Sequence, residues 1–161
     1  MRIRPNFVGI RFTHPNLLFW HEGDAVFKLD ARLENDTINL ASWPLCDVQL
    51  MNDSQFPWVI LVPRIEAVTE LYHLDKTQRE QLDAESIFLS EALMAIYQGD
   101  KLNTAALGNV VSQLHIHHVV RFESDIAWPA PVWGKVHAKH FSDEDLAKQK
   151  KLLAVIIEHS W

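Results

Sequence analysis

From Phe27 onward the chain sorts its apolar and polar residues into short, readable periods. "FKLDARL" (27–33) alternates, which predicts a half-buried strand, and "ENDT" (34–37) reads as the turn after it. "CDVQLMN" (46–52) alternates again, with Val48 and Leu50 on one face, until "DSQFP" interrupts it. "WVILVP" (58–63) is a continuous apolar run that Pro63 ends. Two such runs joined by a short loop predict an antiparallel hairpin.

A change of period marks the next element. Leu82, Leu89, Leu93 and Ile96 recur at spacings of 7, 4 and 3, one stripe of a helix over roughly 76–98. Asp75 is placed to cap it, with Gln78 three residues on, and Gly99 to stop it. Ile87 and Met94 widen the apolar surface, as a broad core face or a subunit contact. "KLNTAAL" (101–107) predicts a strand, "GN" a turn, and "VVSQLHIHHVVRF" (110–122) another strand. The prolines of "WPAPVWG" (128–134) bar it from a central strand. Ser142 caps a last helix, with acids in its first turn, lysines later, and Leu146, Leu153 and Ile157 as its buried face. Neighbouring strands have loops too short for crossovers. The expected class is therefore α+β: a largely antiparallel sheet of about five strands, one long helix and a C-terminal helix. Residues 1–26 lack a clear period and read as an N-terminal extension, ordered in part, ahead of one domain over 27–161.

Composition narrows the function classes. Hydrophobic residues are 48% of the chain, with six tryptophans and eight phenylalanines, which excludes a disordered protein. The net charge of −6, without a long basic run, argues against a nucleic-acid partner but leaves room for a small anionic ligand. A single cysteine, Cys46, permits no intrachain disulfide and points to a reducing compartment. No apolar run approaches the ~20 residues needed to span a bilayer. "NLLFW", behind Arg2 and Arg4, is too short and interrupted for a signal peptide. These features predict a cytoplasmic protein with no membrane partner.

Three of the nine histidines fall within four residues of "SQLHIHHVV" (112–120). On a strand, Gln113, His115 and His117 share one face, roughly ~7 Å apart in succession, and Leu114, Ile116 and His118 the other. His118 reads as a hydrogen-bonded core or edge histidine. The Gln-His-His row has three readings. It is a polar face without chemistry, or a metal site lacking a third ligand, or a site of nucleophilic attack on phosphorus. The neighbours favour the last. Gly108 can present backbone N–H groups to an anion, and Asn109, Ser112 and Gln113 are neutral donors suited to phosphate. Arg121 reads as a solvated strand end, with polyphosphate as the alternative partner. Trp128 and Trp133 read as packing rather than as a pocket mouth.

"LGNVVSQLHIHHVVRF" resembles the histidine triad family of nucleotide hydrolases and transferases, whose signature is His-φ-His-φ-His-φ-φ, with φ apolar, after Gly-Gln-x-Val. "FPWVILVPR" resembles the family's strand Pro-Gly-His-φ-φ-φ-φ-Pro-Lys. The stretch Asp125 to Gly134 looks like that of a bacterial subgroup. The likeness runs from about Phe27 to Gly134. It implies that His115 is the nucleophile, held at its other ring nitrogen by a backbone carbonyl. It implies that His117 contacts phosphate and helps protonate the leaving group. The first histidine of the triad is Gln113 here, Asn109 stands for the usual glutamine, and Trp58 stands for the upstream histidine. Asn52 falls near the family's ribose contact. The substrate implied is a small-molecule nucleotide, a dinucleoside polyphosphate or nucleoside phosphoramidate, cleaved at the α-phosphate through a covalent nucleotidyl-histidine. No metal and no cofactor are implied, and a symmetric homodimer through the long helix and neighbouring strand is. A nucleotide-binding module with little turnover, and a metal-binding protein using His115 and His117, are the alternatives.

Overall fold

The computed structural model describes residues 27–161, so the expectation for 1–26 lies outside the described residues. Five strands, β1 (Thr37–Ser42), β2 (Cys46–Met51), β3 (Trp58–Pro63), β4 (Lys101–Ala105) and β5 (Ile116–Arg121), form one antiparallel sheet in the order β1-β2-β3-β5-β4. The α+β class is as expected; some boundaries are not.

"FKLDARL" is not a strand. Residues 27–30 are irregular and α1 spans Ala31–Asp36. Local bonds account for this. The Asp30 carboxylate accepts from Arg32 N–H at 2.8 Å, capping the helix. Arg32 then pairs with Asp36 one turn on. β1 (Thr37–Ser42) follows, where the sequence showed only part of a turn. A bulge between Asn39 and Ala41 breaks its alternation, so the period-2 signal is missing. β2 (Cys46–Met51) and β3 (Trp58–Pro63) form the expected hairpin, from Cys46 opposite Pro63 to Leu50 opposite Val59.

α2 (Lys76–Tyr97) opens on the expected cap, with Asp75 and Gln78 bonding each other's backbone N–H. Leu82, Leu89 and Leu93 are buried on the stripe, whereas Ile87 is half exposed. Glu85 is buried too, and its carboxylate accepts from the N–H groups of Leu45 at 2.8 Å and Cys46 at 3.0 Å. Burial, and after it that carboxylate, push the Cys46 thiol pKa far up, so the cysteine is a small core residue. The left-handed residue that ends the helix is Gln98, not Gly99. Gly99 is needed for a different reason: a Cβ there would sit 2.2 Å from Val120 Cγ1.

β4 spans Lys101–Ala105, and β5 only Ile116–Arg121. Residues 110–115 leave the sheet because Leu114 N–H donates to Val68 O at 2.9 Å instead of to a strand partner. After the proline loop, Ser142 caps α3 (Asp143–Leu152). The helix breaks at Leu153 and resumes as α4 (Ala154–Ile157). The break re-phases the apolar face, so Leu153 and Ile156 are fully buried while Leu146 and Ile157 are partly so.

The sheet thus has two unlike faces. Val48, Leu50, Val59, Leu61, Ile116 and Val120 pack against α2 and the C-terminal helices. Trp58, Ile60, Val62 and Val119 pack instead against α1 and the loop that carries Ala127 and Val132.

Candidate functional site

The candidate site lies where β5 begins, on the second face. His117 sits opposite Ile60 of β3 and Ala105 of β4 in the ladder, so strand register fixes its direction. His115 precedes the strand, and a local bond aims it. Its Nδ1 lies 2.7 Å from the carbonyl oxygen of Gln113. A carbonyl only accepts, so Nδ1 carries the proton and Nε2 keeps a lone pair. The two rings meet edge to face at 4.8 Å. Both are buried, at 7% exposure for His115 and 5% for His117.

Around His117 the environment is aromatic. Trp58 donates its indole N–H to His117 Nδ1 at 3.0 Å. Trp133 packs its ring edge to face against both, 5.4 Å from His117 and 5.7 Å from Trp58. Burial pushes the His117 pKa down to about 3, with smaller contributions from His115 and His118, so the ring is neutral near pH 7. His118 points to the α2 face and is fully buried. Its Nε2 meets Ser86 Oγ at 2.8 Å and its Nδ1 meets Ile116 O at 3.2 Å. Burial lowers its pKa to about 4. This is the hydrogen-bonded core histidine expected from the alternation.

The remaining candidates divide between two recesses beside the histidines. Gly108, with a left-handed φ of 68°, Gln113 and His115 line the first, together with Glu70 and Leu107. Asn52 lines the second, a cavity of about 330 Å³ that it shares with Arg32, Asp53, Trp58, Trp133 and His140. His117 touches a wall of each, His115 on one side and Trp58 on the other. Asn52 Oδ1 also accepts from Phe141 N–H at 3.1 Å, which ties the C-terminal segment to the end of β2. Asn109 and Ser112 are exposed near the Gly108 turn, and Ser112 lines a separate groove beside residues 28–31.

Gln113 stands apart from the row that strand alternation predicted, because residues 113–115 lie outside β5. Its side-chain oxygen accepts from Asp30 N–H and its nitrogen donates to Lys28 O, both at 2.9 Å. The carboxamide thereby anchors the segment leading into α1. Its main-chain carbonyl is what reaches His115.

Arg121 is not a solvated strand end. It is 1% exposed and grips Asp125 through two bonds, Nε to Oδ2 at 2.7 Å and Nη2 to Oδ1 at 3.0 Å. It also donates to Asn103 Oδ1 and Ala130 O, and its guanidinium stacks over Trp128. Bonding to Arg121 holds the Asp125 carboxyl below the usual carboxylate range. The clamp fixes the proline loop over the site, which makes Trp133 a wall as well as packing. The spacing of four between Arg121 and Asp125 was the available signal for it.

A larger cavity, about 510 Å³, lies elsewhere, between α2 and the β4 edge, lined by Leu71, Leu82, Ser86, Thr104 and Ile116. Neither His115 nor His117 lines it, so its size does not mark the chemistry. Among the described residues, no three His, Cys, Asp or Glu side chains are grouped to hold a metal ion, and no helix is long and apolar enough to cross a membrane.

Comparison with known proteins agrees with this geometry. Residues 32–124 match the family model described as HIT domain. A histidine triad protein from Marinobacter aquaeolei VT8 is 48% identical and superimposes with a TM-score of 0.82, over 83% of this chain and 98% of its own. One from Bradyrhizobium japonicum is 39% identical, with a TM-score of 0.80 over 83% and 99% of the two chains. One from Sinorhizobium meliloti 1021 is 37% identical, with a TM-score of 0.77 over 80% and 95%. None of the curated proteins matches.

Proposed function

The chain belongs to the histidine triad (HIT) domain family, and from that premise we propose that it is a nucleotide hydrolase or nucleotidyl transferase. It cleaves at the α-phosphate of a dinucleoside polyphosphate or nucleoside phosphoramidate, and His115 carries the nucleotide between the two steps. The observation that carries this reading is the 2.7 Å bond from His115 Nδ1 to the Gln113 carbonyl. It leaves Nε2 as a lone pair and stabilises the cation that forms when Nε2 bonds phosphorus. Gly108, on its left-handed turn beside His115, is positioned for backbone donation to the phosphoryl oxygens, with Asn109 and Ser112 close in sequence. Asn52, Trp58 and Trp133 line the recess that would receive the nucleoside. The partner is a small molecule and the working unit a homodimer in the cytoplasm.

One observation favours the weaker activity of a binding module. Trp58 fills the position of the family's upstream histidine and cannot exchange protons at neutral pH.

The test is release of AMP from diadenosine tetraphosphate and adenosine 5′-phosphoramidate in EDTA, beside His115→Ala. AMP from the wild type alone supports nucleophilic catalysis without a metal. Nucleotide binding with no AMP from either compound would leave the binding module.

A further inference from the structure

We infer that Trp58 is a positioning residue. Its indole N–H fixes His117 as the neutral tautomer protonated at Nε2, a hydrogen-bond donor and not an acid. The site is thereby suited to leaving groups that depart as anions, which makes phosphoric anhydrides its substrates in preference to phosphoramidates. The leaving-group half rests on the reading of His115 as nucleophile; the tautomer does not.

An indole nitrogen donates and never accepts. At 3.0 Å from Trp58 Nε1, His117 Nδ1 must therefore be the acceptor. A proton on Nδ1 would set two N–H groups against each other, so imidazolium, which carries both protons, is incompatible with the contact. The surroundings give the cation nothing in return. Along the chain its titratable neighbours are His115, just before β5, and His118 within it, which repel it. Across the ladder stand Ile60 and Ala105, and from the loop Trp133. The carboxylates nearby line the recesses beyond its neighbours: Glu70 with His115, and Asp36 and Asp53, with Arg32 and His140, behind Trp58. Burial acts in the same direction as the indole.

The consequence follows from proton balance. His115 Nε2 forms a bond to the α-phosphorus as the bond to the leaving atom breaks, and the electron pair goes with the leaving group. His115 keeps its Nδ1 proton and becomes an N-phosphorylated imidazolium. A phosphate leaving group is stable as an anion, since the second ionisation of a phosphate ester lies near about 6. It needs no proton. An amine leaving group must gain one, because amines are protonated until about 8 or above. His117 could supply that proton only by becoming imidazolate. Water then cleaves the phosphorus–nitrogen bond, giving the nucleotide, free His115 and one proton to solvent.

The experiment is ¹⁵N NMR of the histidine rings from pH 8 to 4, with His117 assigned by His117→Gln, on the wild type, Trp58→Phe and Trp58→His. The wild type should show His117 with an accepting Nδ1 and a protonated Nε2, unchanged down to about pH 5. In Trp58→Phe the Nδ1 signature should be lost. A wild-type His117 that is protonated at Nδ1, or that titrates near its ordinary value, overturns the inference whether or not the variants fold. In parallel, the wild type should turn over diadenosine tetraphosphate in preference to the phosphoramidate. Trp58→His should raise the phosphoramidate-to-anhydride ratio of kcat/KM at least about tenfold, the low side of what an added general acid contributes. A wild type that prefers the phosphoramidate overturns the leaving-group half. No turnover of either compound, with the NMR signature present, sinks the hydrolase reading and leaves the tautomer standing.

Discussion

His117 and His118 are neighbours in sequence, both buried, both depressed in pKa, and unlike in what their ring nitrogens bond. His118 faces α2 with both ring nitrogens engaged, by Ser86 Oγ and the Ile116 carbonyl. His117 faces the proline loop with Nδ1 bound to an indole, and among the described residues nothing bonds its Nε2. Burial alone therefore does not separate a structural histidine from a reactive one. The count of satisfied nitrogens does, because a ring with both nitrogens bound has nothing left to offer a ligand. The same holds of the two faces. Both have cavities, but the one on the α2 face is lined by Leu71, Leu82, Ser86 and Ile116, whereas the recesses on the other face border His115 and Trp58.

The largest effect should come from the proposed nucleophile. His115→Ala is expected to lower AMP release by at least about 10³-fold, the scale of losing a covalent catalyst, while the fold persists. Residual activity within tenfold of wild type would return His115 to the status of His118. Next is the clamp over the candidate site. Arg121→Met leaves the partly buried Asp125 carboxylate with only the N–H groups of Phe122 and Ala127, so urea unfolding should show a loss of about 1.5–3 kcal/mol, the scale of hydrogen bonds to a charged group. A loss below about 1 kcal/mol would mean that the loop is held by its apolar contacts alone.

The core of this arrangement was legible in the sequence because its signals are local. The capping box at Asp75 and Gln78, the stripe of Leu82, Leu89 and Leu93, and the hairpin of 46–63 all depend on near neighbours. The histidine row was legible in its residues but not in its geometry. Alternation holds for His117 and His118, which lie in β5, and fails for Gln113, whose direction is set by Lys28 and Asp30, 85 and 83 residues away. β1 was hidden by its bulge, and α1 by a cap that competes with an alternating pattern. The Trp58–His117 bond, 59 residues apart, exists only once β3 and β5 pair.

The depressed histidines make an acid prediction of intermediate size. A histidine whose folded pKa lies below its unfolded value takes up a proton on unfolding. Its contribution is whole above about pH 6.5 and drains as pH falls toward 4 for His118. By pH 5 that loss is on the order of 2 kcal/mol from His118, with His117 adding a like amount. His118→Gln keeps hydrogen-bonding capacity without titrating. Between pH 7 and 5 it should lose about half as much stability as the wild type, read by thermal unfolding at each pH. Equal slopes would mean that some other group governs the acid limit.

The smallest effect is the most discriminating for the site, because Gln113 acts through two different parts of itself. Its carboxamide holds Lys28 and Asp30, and its carbonyl holds His115. Gln113→Leu removes the first and keeps the second. Stability should fall by about 1–2 kcal/mol, the worth of one part-buried and one exposed hydrogen bond to backbone. AMP release should change less than about fivefold, since His115 keeps its tautomer and its free Nε2. If activity instead falls by orders of magnitude at unchanged stability, the carboxamide turns toward the substrate during the reaction. Gln113 would then be a third working member of the row, and the difference between the residue that holds the segment and the residue that does chemistry would disappear at this position.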